Sequence, residues 1–139
     1  MKIYTTNYYN TFIEVAEDCP VSSGTVPPAK EGSPSVARLQ YEMLSGDPYR
    51  YDSDDALFSV FAVRKEIPDG EREEQRQAFF SKGQPCFRAS PLTKSYGWGV
   101  HCNEEGRVAL YGMGTAEYQR FIADGTIKKL KAMRSKRKW

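Results

Sequence analysis

At 139 residues, with 40% apolar and 13% aromatic side chains, the chain is long enough to bury a core of its own as one domain, and its composition argues against disorder over its whole length. Three cysteines, Cys19, Cys86 and Cys102, stand at wide spacing with no C-x-x-C pair, which argues against a disulfide framework or a cysteine-rich zinc site and for a reducing cytosol. The net charge of +2 is uneven: Lys128, Lys129, Lys131, Arg134, Lys136, Arg137 and Lys138 crowd the end without one acid, so the remainder carries +2 less 7, a net −5.

The opening MKIYTTNYYN lacks the apolar stretch of a signal peptide, and no apolar run approaches the roughly 18 residues that span a bilayer. The expectation is a cytoplasmic protein with no membrane segment. Residues 1–126 are expected to form a single domain, followed at 127–139 by a basic tail or edge strand.

Taken in order, Tyr8 to Ala16 is aromatic and β-branched and predicts a first strand at about 9–16, with Phe12, Glu14 and Ala16 on one face. Glu17 to Ser33 is rich in Pro, Gly and Ser, and predicts a long loop able to cover a site. Ser33-Pro34 reads as a helix start, Val36, Leu39, Met43 and Leu44 as its apolar stripe, and Gly46 as a left-handed end. Ser53 looks like a second N-cap, with Asp54 and Asp55 in the first turn and Arg64 and Lys65 in the last. Its body, ALFSVFAV, is β-prone, so residues 54–66 fit helix or strand, and the end signals favour helix. A third helix is predicted from about Glu71 to Ser81.

Tyr96, Trp98, Val100 and Cys102 alternate with Gly97, Gly99 and His101, turn at Asn103 to Gly106, and return from Arg107 to Met113. Period 2 followed by a turn predicts a β-hairpin. Thr115 would cap a short helix carrying Tyr118, Phe121 and Ile122, and TIKKLKAM would add an edge strand near 126–133. The sum is an α+β fold: a small antiparallel sheet of three to four strands with three to four packed helices.

The segments TTNYYNTFIEVAEDCP, LQYEMLSGDPYRYDSDD, FFSKGQPCFRASPLTKSYGWGVH, EGRVALYGM and KAMRSKR span nearly the whole chain. In them it resembles a family of uncharacterised bacterial proteins carried as a domain of unknown function. The resemblance implies a bacterial, single-domain protein and brings no activity, ligand or catalytic residue with it.

Function must therefore be read from the residues. Arg88, Ser90 and Lys94 precede Tyr96 and Trp98, and a guanidinium with a hydroxyl can grip a carboxylate or phosphate. Gly97 and Gly99 would bare the strand face to which His101 also points, leaving a hollow for a ligand. The reading this favours is a non-enzymatic module that binds a small anionic ligand or a protein partner through Arg88, Ser90, Lys94, Tyr96, Trp98 and His101. The first alternative is a nucleic-acid-associated protein using the seven basic residues of the tail. The second is a small enzyme using Cys86 or His101, with Cys86 the better thiol because strand neighbours such as His101 and Cys102 face opposite ways. Ser90 lacks the G-x-S-x-G turn of an exposed nucleophile. Asp47, Asp52, Asp54 and Asp55 do not match a Ca²⁺ loop, and no metal or cofactor is expected.

Overall fold

The computed structural model of the chain describes residues 3–29, 32 and 34–136. Ser33, expected to start the first helix, lies outside the described residues, as do Arg137 and Lys138 of the basic end. Strands β1 (Thr11–Glu14), β2 (Trp98–Cys102), β3 (Val108–Gly112) and β4 (Lys128–Lys131) form one sheet in the spatial order β3-β2-β1-β4. Helices α1 (Val36–Gly46), α2 (Ser53–Arg64), α3 (Arg72–Phe80), α4 (Pro91–Lys94) and α5 (Ala116–Ala123) complete the α+β fold.

The hairpin β2–β3 is antiparallel, with Val100 opposite Leu110, and β2 also runs antiparallel to β1, with Phe12 opposite His101. The last strand departs from the expected antiparallel sheet: β4 runs parallel to β1, Ile13 opposite Leu130. Strands β3 and β4 stand at opposite ends of the sheet order, and α5 carries the chain between them. A helical crossover of this kind returns the chain parallel to where it left, whereas tight turns give antiparallel neighbours.

Alternation along the strands divides the core. Ile13, Val100, Cys102 and Val108 pack with Leu44, Ala56 and Phe87 on the side of α1 and α2. Phe12 and Val15 point the other way and pack with Tyr118, Phe121 and Ile122 of α5. A third cluster, Phe58, Ala62 and Phe80, joins α2 to α3. Helix α2 is thus buried on more than one side, with Ala56 against the sheet and Phe58 and Ala62 against α3. That explains why its sequence is apolar without a clear stripe and why it fits helix and strand patterns alike.

The helix ends refine the expectations. Ser35 caps α1, its side chain accepting from Arg38 N. Gly46 is the last helical residue rather than a left-handed cap, and Asp47 ends the helix at φ −135°. The left-handed residue falls instead on Tyr49, at φ 61°. There the chain turns along the edge of β3, with Tyr49 N donating to Val108 O and Val108 N to Tyr51 O, each at 2.9 Å. Asp52, not Ser53, caps α2, its Oδ1 accepting from Asp55 N at 2.7 Å. Ser53 Oγ instead accepts from the Thr6 hydroxyl at 2.9 Å, and Asp54 accepts from Thr5 Oγ1 and Thr6 N at 2.7 Å each. The acidic cluster therefore clamps the N-terminal segment onto the start of α2.

Candidate functional site

The hollow expected beside Gly97 and Gly99 is occupied by the protein itself. A Cβ on Gly99 would lie 2.5 Å from Phe12 Cζ and 2.8 Å from Tyr118 Cε2. On Gly97, at φ +78°, it would lie 2.3 Å from Ser23 O. Gly99 thus admits the cluster against α5, and Gly97 the long loop. That loop is the cover its composition suggested: Thr25 N donates to Tyr96 O at 2.8 Å, and Trp98 Nε1 donates to Thr25 O at 2.7 Å.

The six residues expected to converge are divided between the two sides of the sheet. His101 stacks on Phe121 at 4.3 Å between ring centroids. Its Nδ1 is 2.8 Å from Tyr49 Oη, which is itself 2.8 Å from Tyr111 Oη. Burial lowers the His101 pKa, partly opposed by the Asp124 carboxylate, and burial raises that of Tyr49, reinforced by its hydrogen bond to Tyr111. Arg88 Nε donates to Lys131 O at 2.8 Å, and Met133 N donates to Arg88 O at 2.7 Å. Arg88 thus anchors the end of β4 and does not meet His101. Ser90 caps α4, accepting from Leu92 N at 3.1 Å, Lys94 lies in that helix's last turn, and Trp98 packs against Tyr41 of α1 at 5.5 Å.

The thiols and the basic end are likewise engaged. Cys102 is buried, which pushes its thiol up to about 12 and keeps it protonated. Cys86 Sγ lies 3.5 Å from Tyr8 Oη, and that hydrogen bond raises the Tyr8 pKa, with burial adding to it. His101 reaches neither thiol, because its Nδ1 faces Tyr49 and its ring faces Phe121. Lys131 Nζ and Arg134 Nη1 pair with Glu17 at 3.2 and 3.0 Å. The backbone N–H groups of Ser135 and Lys136 each donate to Asp18 at 2.9 Å, and Lys129 Nζ bonds Asp124 O. The acids of the loop after β1 thus hold down part of the basic end. Among the described residues, no group of three His, Cys, Asp or Glu side chains is placed to hold a metal, and no helix is long and apolar enough to cross a membrane.

A concavity with apolar walls lies elsewhere, on the α1–α2 side. It is a cleft of about 260 Å³ between α1, α2, the end of α3 and the segment 84–91. Val36, Leu57, Val60, Phe61, Phe79 and Pro85 give it apolar walls. Arg64 and Lys65, both exposed, stand on its rim, and neither has an ion-pair partner among the described residues. Cys86, Ser90 and Gln40 also line it. The segment 84–91 is held in shape by Gln84 Nε2 donating to Phe79 O at 2.7 Å and Thr93 Oγ1 donating to Phe87 O at 2.6 Å.

A model of a family of unknown function, DUF6157, matches residues 3–138. The chain belongs to that family. No curated protein and no solved structure matches it. DUF6157 membership agrees with the resemblance carried by the sequence segments, and leaves the chemistry to be argued from the cleft.

Sequence reasoning placed Ser90 and Cys86 near a site, but through the hairpin rather than through α1 and α2. The missed residues are Gln40, Arg64 and Lys65. A signal for the first was present: Gln40 stands between Val36 and Leu44 at spacings of four, a polar residue inside an apolar stripe. Arg64 and Lys65 were fully accounted for by the helix dipole, so nothing in the pattern marked them as facing a cavity.

Proposed function

We propose that this member of DUF6157 is a non-enzymatic binding module for a small anionic ligand with an apolar body, held in the cleft between α1, α2 and residues 84–91. The observation that carries the reading is the pairing of apolar walls with two cations on the rim that have no carboxylate partner among the described residues. Small-molecule sites are typically concave and apolar with a few polar groups that fix orientation. At ~30 Å³ for each water-sized group, the cleft holds a body of roughly nine non-hydrogen atoms. A guanidinium beside an ammonium suits a carboxylate or phosphate at the mouth.

Calorimetric titration with octanoate and with 1-octanol tests this directly. Octanoate should bind the wild-type chain at least tenfold more tightly than the alcohol. The double variant Arg64→Glu, Lys65→Glu should lose that preference while retaining its circular dichroism spectrum. Equal affinity for the acid and the alcohol in the wild-type chain overturns the reading.

A further inference from the structure

Gln40 is buried, with 2% of its surface exposed, yet its amide is only half satisfied. Ser90 Oγ lies 2.5 Å from Gln40 Oε1. The Ser90 oxygen already accepts from Leu92 N, so its own proton is free to go to Gln40, and this orients the amide with its oxygen toward Ser90. The two N–H groups of Gln40 Nε2 then have no acceptor among the described residues. No fully sealed side-chain nitrogen or oxygen among the described residues lacks a partner, and Gln40 forms part of the cleft wall. The free donors therefore keep their access through the cleft.

Buried polar groups in folded proteins are nearly always partnered, and an N–H pair held in an apolar wall calls for an acceptor. From this we infer that the ligand of the cleft carries, on its apolar body, a hydrogen-bond acceptor oxygen that is received by the Gln40 amide. The inference rests on the reading of the cleft as an anion-binding site and narrows its ligand class to oxo acids, or acids bearing a comparable carbonyl. The carboxylate lies at Arg64 and Lys65, and the carbonyl lies inside, against Gln40. A plain hydrocarbon end in that position strips water from the N–H groups and gives nothing back, so Gln40 selects as well as binds.

The discriminating probes are octanoate and 7-oxooctanoate, titrated calorimetrically into the full chain. The wild-type chain should bind the oxo acid about tenfold more tightly. Gln40→Glu keeps an oxygen for Ser90 and replaces the donors by an acceptor, and should abolish the preference. Gln40→Met, which removes the donors without adding charge, provides the same readout should the first variant fold poorly, and should abolish the preference by tightening octanoate, which then strips no water from the N–H groups, relative to the oxo acid. Equal binding of the two acids by the wild-type chain, or a preference that survives in the folded Gln40 variants, overturns the inference while leaving the anion reading in place. Failure of both acids to bind the wild-type chain overturns both. A loss of octanoate affinity in Gln40→Glu with indifference to the Arg64→Glu, Lys65→Glu pair reverses the ligand's direction, and overturns the inference as stated.

Discussion

The two sides of the central sheet are finished differently. On the α5 side Phe12 lies between Tyr118 and Phe121 at centroid distances of 5.1 and 4.9 Å, and the Tyr118 hydroxyl accepts from Val15 N at 3.0 Å. Tyr49 bonds both His101 and Tyr111, and Gly99 leaves no room for even one carbon. A hollow on this side, lined by Tyr111, Glu117, Arg120, Phe121 and Asp124, has its Arg120 paired with Glu117. On the α1–α2 side lies an apolar-walled cleft, with two cations that make no ion pair among the described residues on its rim and a half-satisfied amide in its wall. Dense, satisfied packing is what stability alone produces. A concavity that keeps unpaired polar groups is the kind of local exception that binding requires. The residue that looks most chemical in the sequence, His101, belongs to the packed side; the cleft is built from residues that look ordinary.

The sharpest way to break this comparison is to add one methyl group to the packed side. Gly99→Ala places its Cβ 2.5 Å from Phe12 Cζ and 3.2 Å from Ile13 O. A ring hemmed in by Tyr118 and Phe121 cannot yield freely, so the expected loss is about 3 kcal/mol, near the upper end for overpacking. Urea unfolding measures it, and an unchanged midpoint would show that this side has slack. Ser90→Ala strikes where the cleft meets the core. It removes the α4 cap, worth ~1 kcal/mol, and strips Gln40 of its remaining bond, for a total loss of about 2 kcal/mol.

These two positions also show how much of the molecule was legible in the sequence. The hairpin, α1, the α5 cap at Thr115 and the α+β class all followed from local pattern, because periodicity and capping are encoded by near neighbours. The parallel placement of β4 was not legible, since it depends on where α5 sets the chain down, and no local pattern records that. The candidate site was misplaced for a related reason. Bare glycines predict a space next to the strand but not what fills it, and what fills it is Phe12, 87 residues earlier in the chain, and the loop at Ser23. Gln40 was legible in principle as a polar residue at a core position, but recognising that its amide is only half used requires knowing that Ser90 lies against it.

A subtler contrast comes from pH. Burial holds the His101 pKa below its ordinary value, with Asp124 opposing from α5 and Tyr49, Tyr111 and Phe121 as uncharged neighbours. The unfolded imidazole, near pH 6.5, then takes up a proton before the folded one does. Folding stability is therefore at its full value above about pH 6.5 and falls as pH drops through the interval down to the lowered folded pKa. His101→Gln should flatten that part of the profile relative to wild type. The falls due to Glu17, Asp18 and Asp124, whose pKa values are all lowered in the fold, occur at more acid pH and should remain in both proteins. Chemical denaturation at pH 5 and pH 7.5 measures the difference, and parallel profiles for the two proteins would show that this imidazole is not held neutral by its surroundings.

The smallest expected effect bears most directly on the difference between the two sides. Arg64 and Lys65 close α2, where a cation gains a few tenths of a kcal/mol from the helix dipole at an exposed site. They make no ion pair among the described residues, and nothing in the core rests on their charge. Arg64→Gln with Lys65→Gln should therefore lower stability by less than about 0.5 kcal/mol, within the scatter of a denaturation curve. If the pair instead costs as much as a core residue, the cations are structural, and the cleft loses the feature that distinguishes it from an incidental gap between helices. If stability is unchanged while octanoate affinity falls, the two cations owe their place on the rim to the ligand, just as Phe12 and Gly99 owe theirs to the fold.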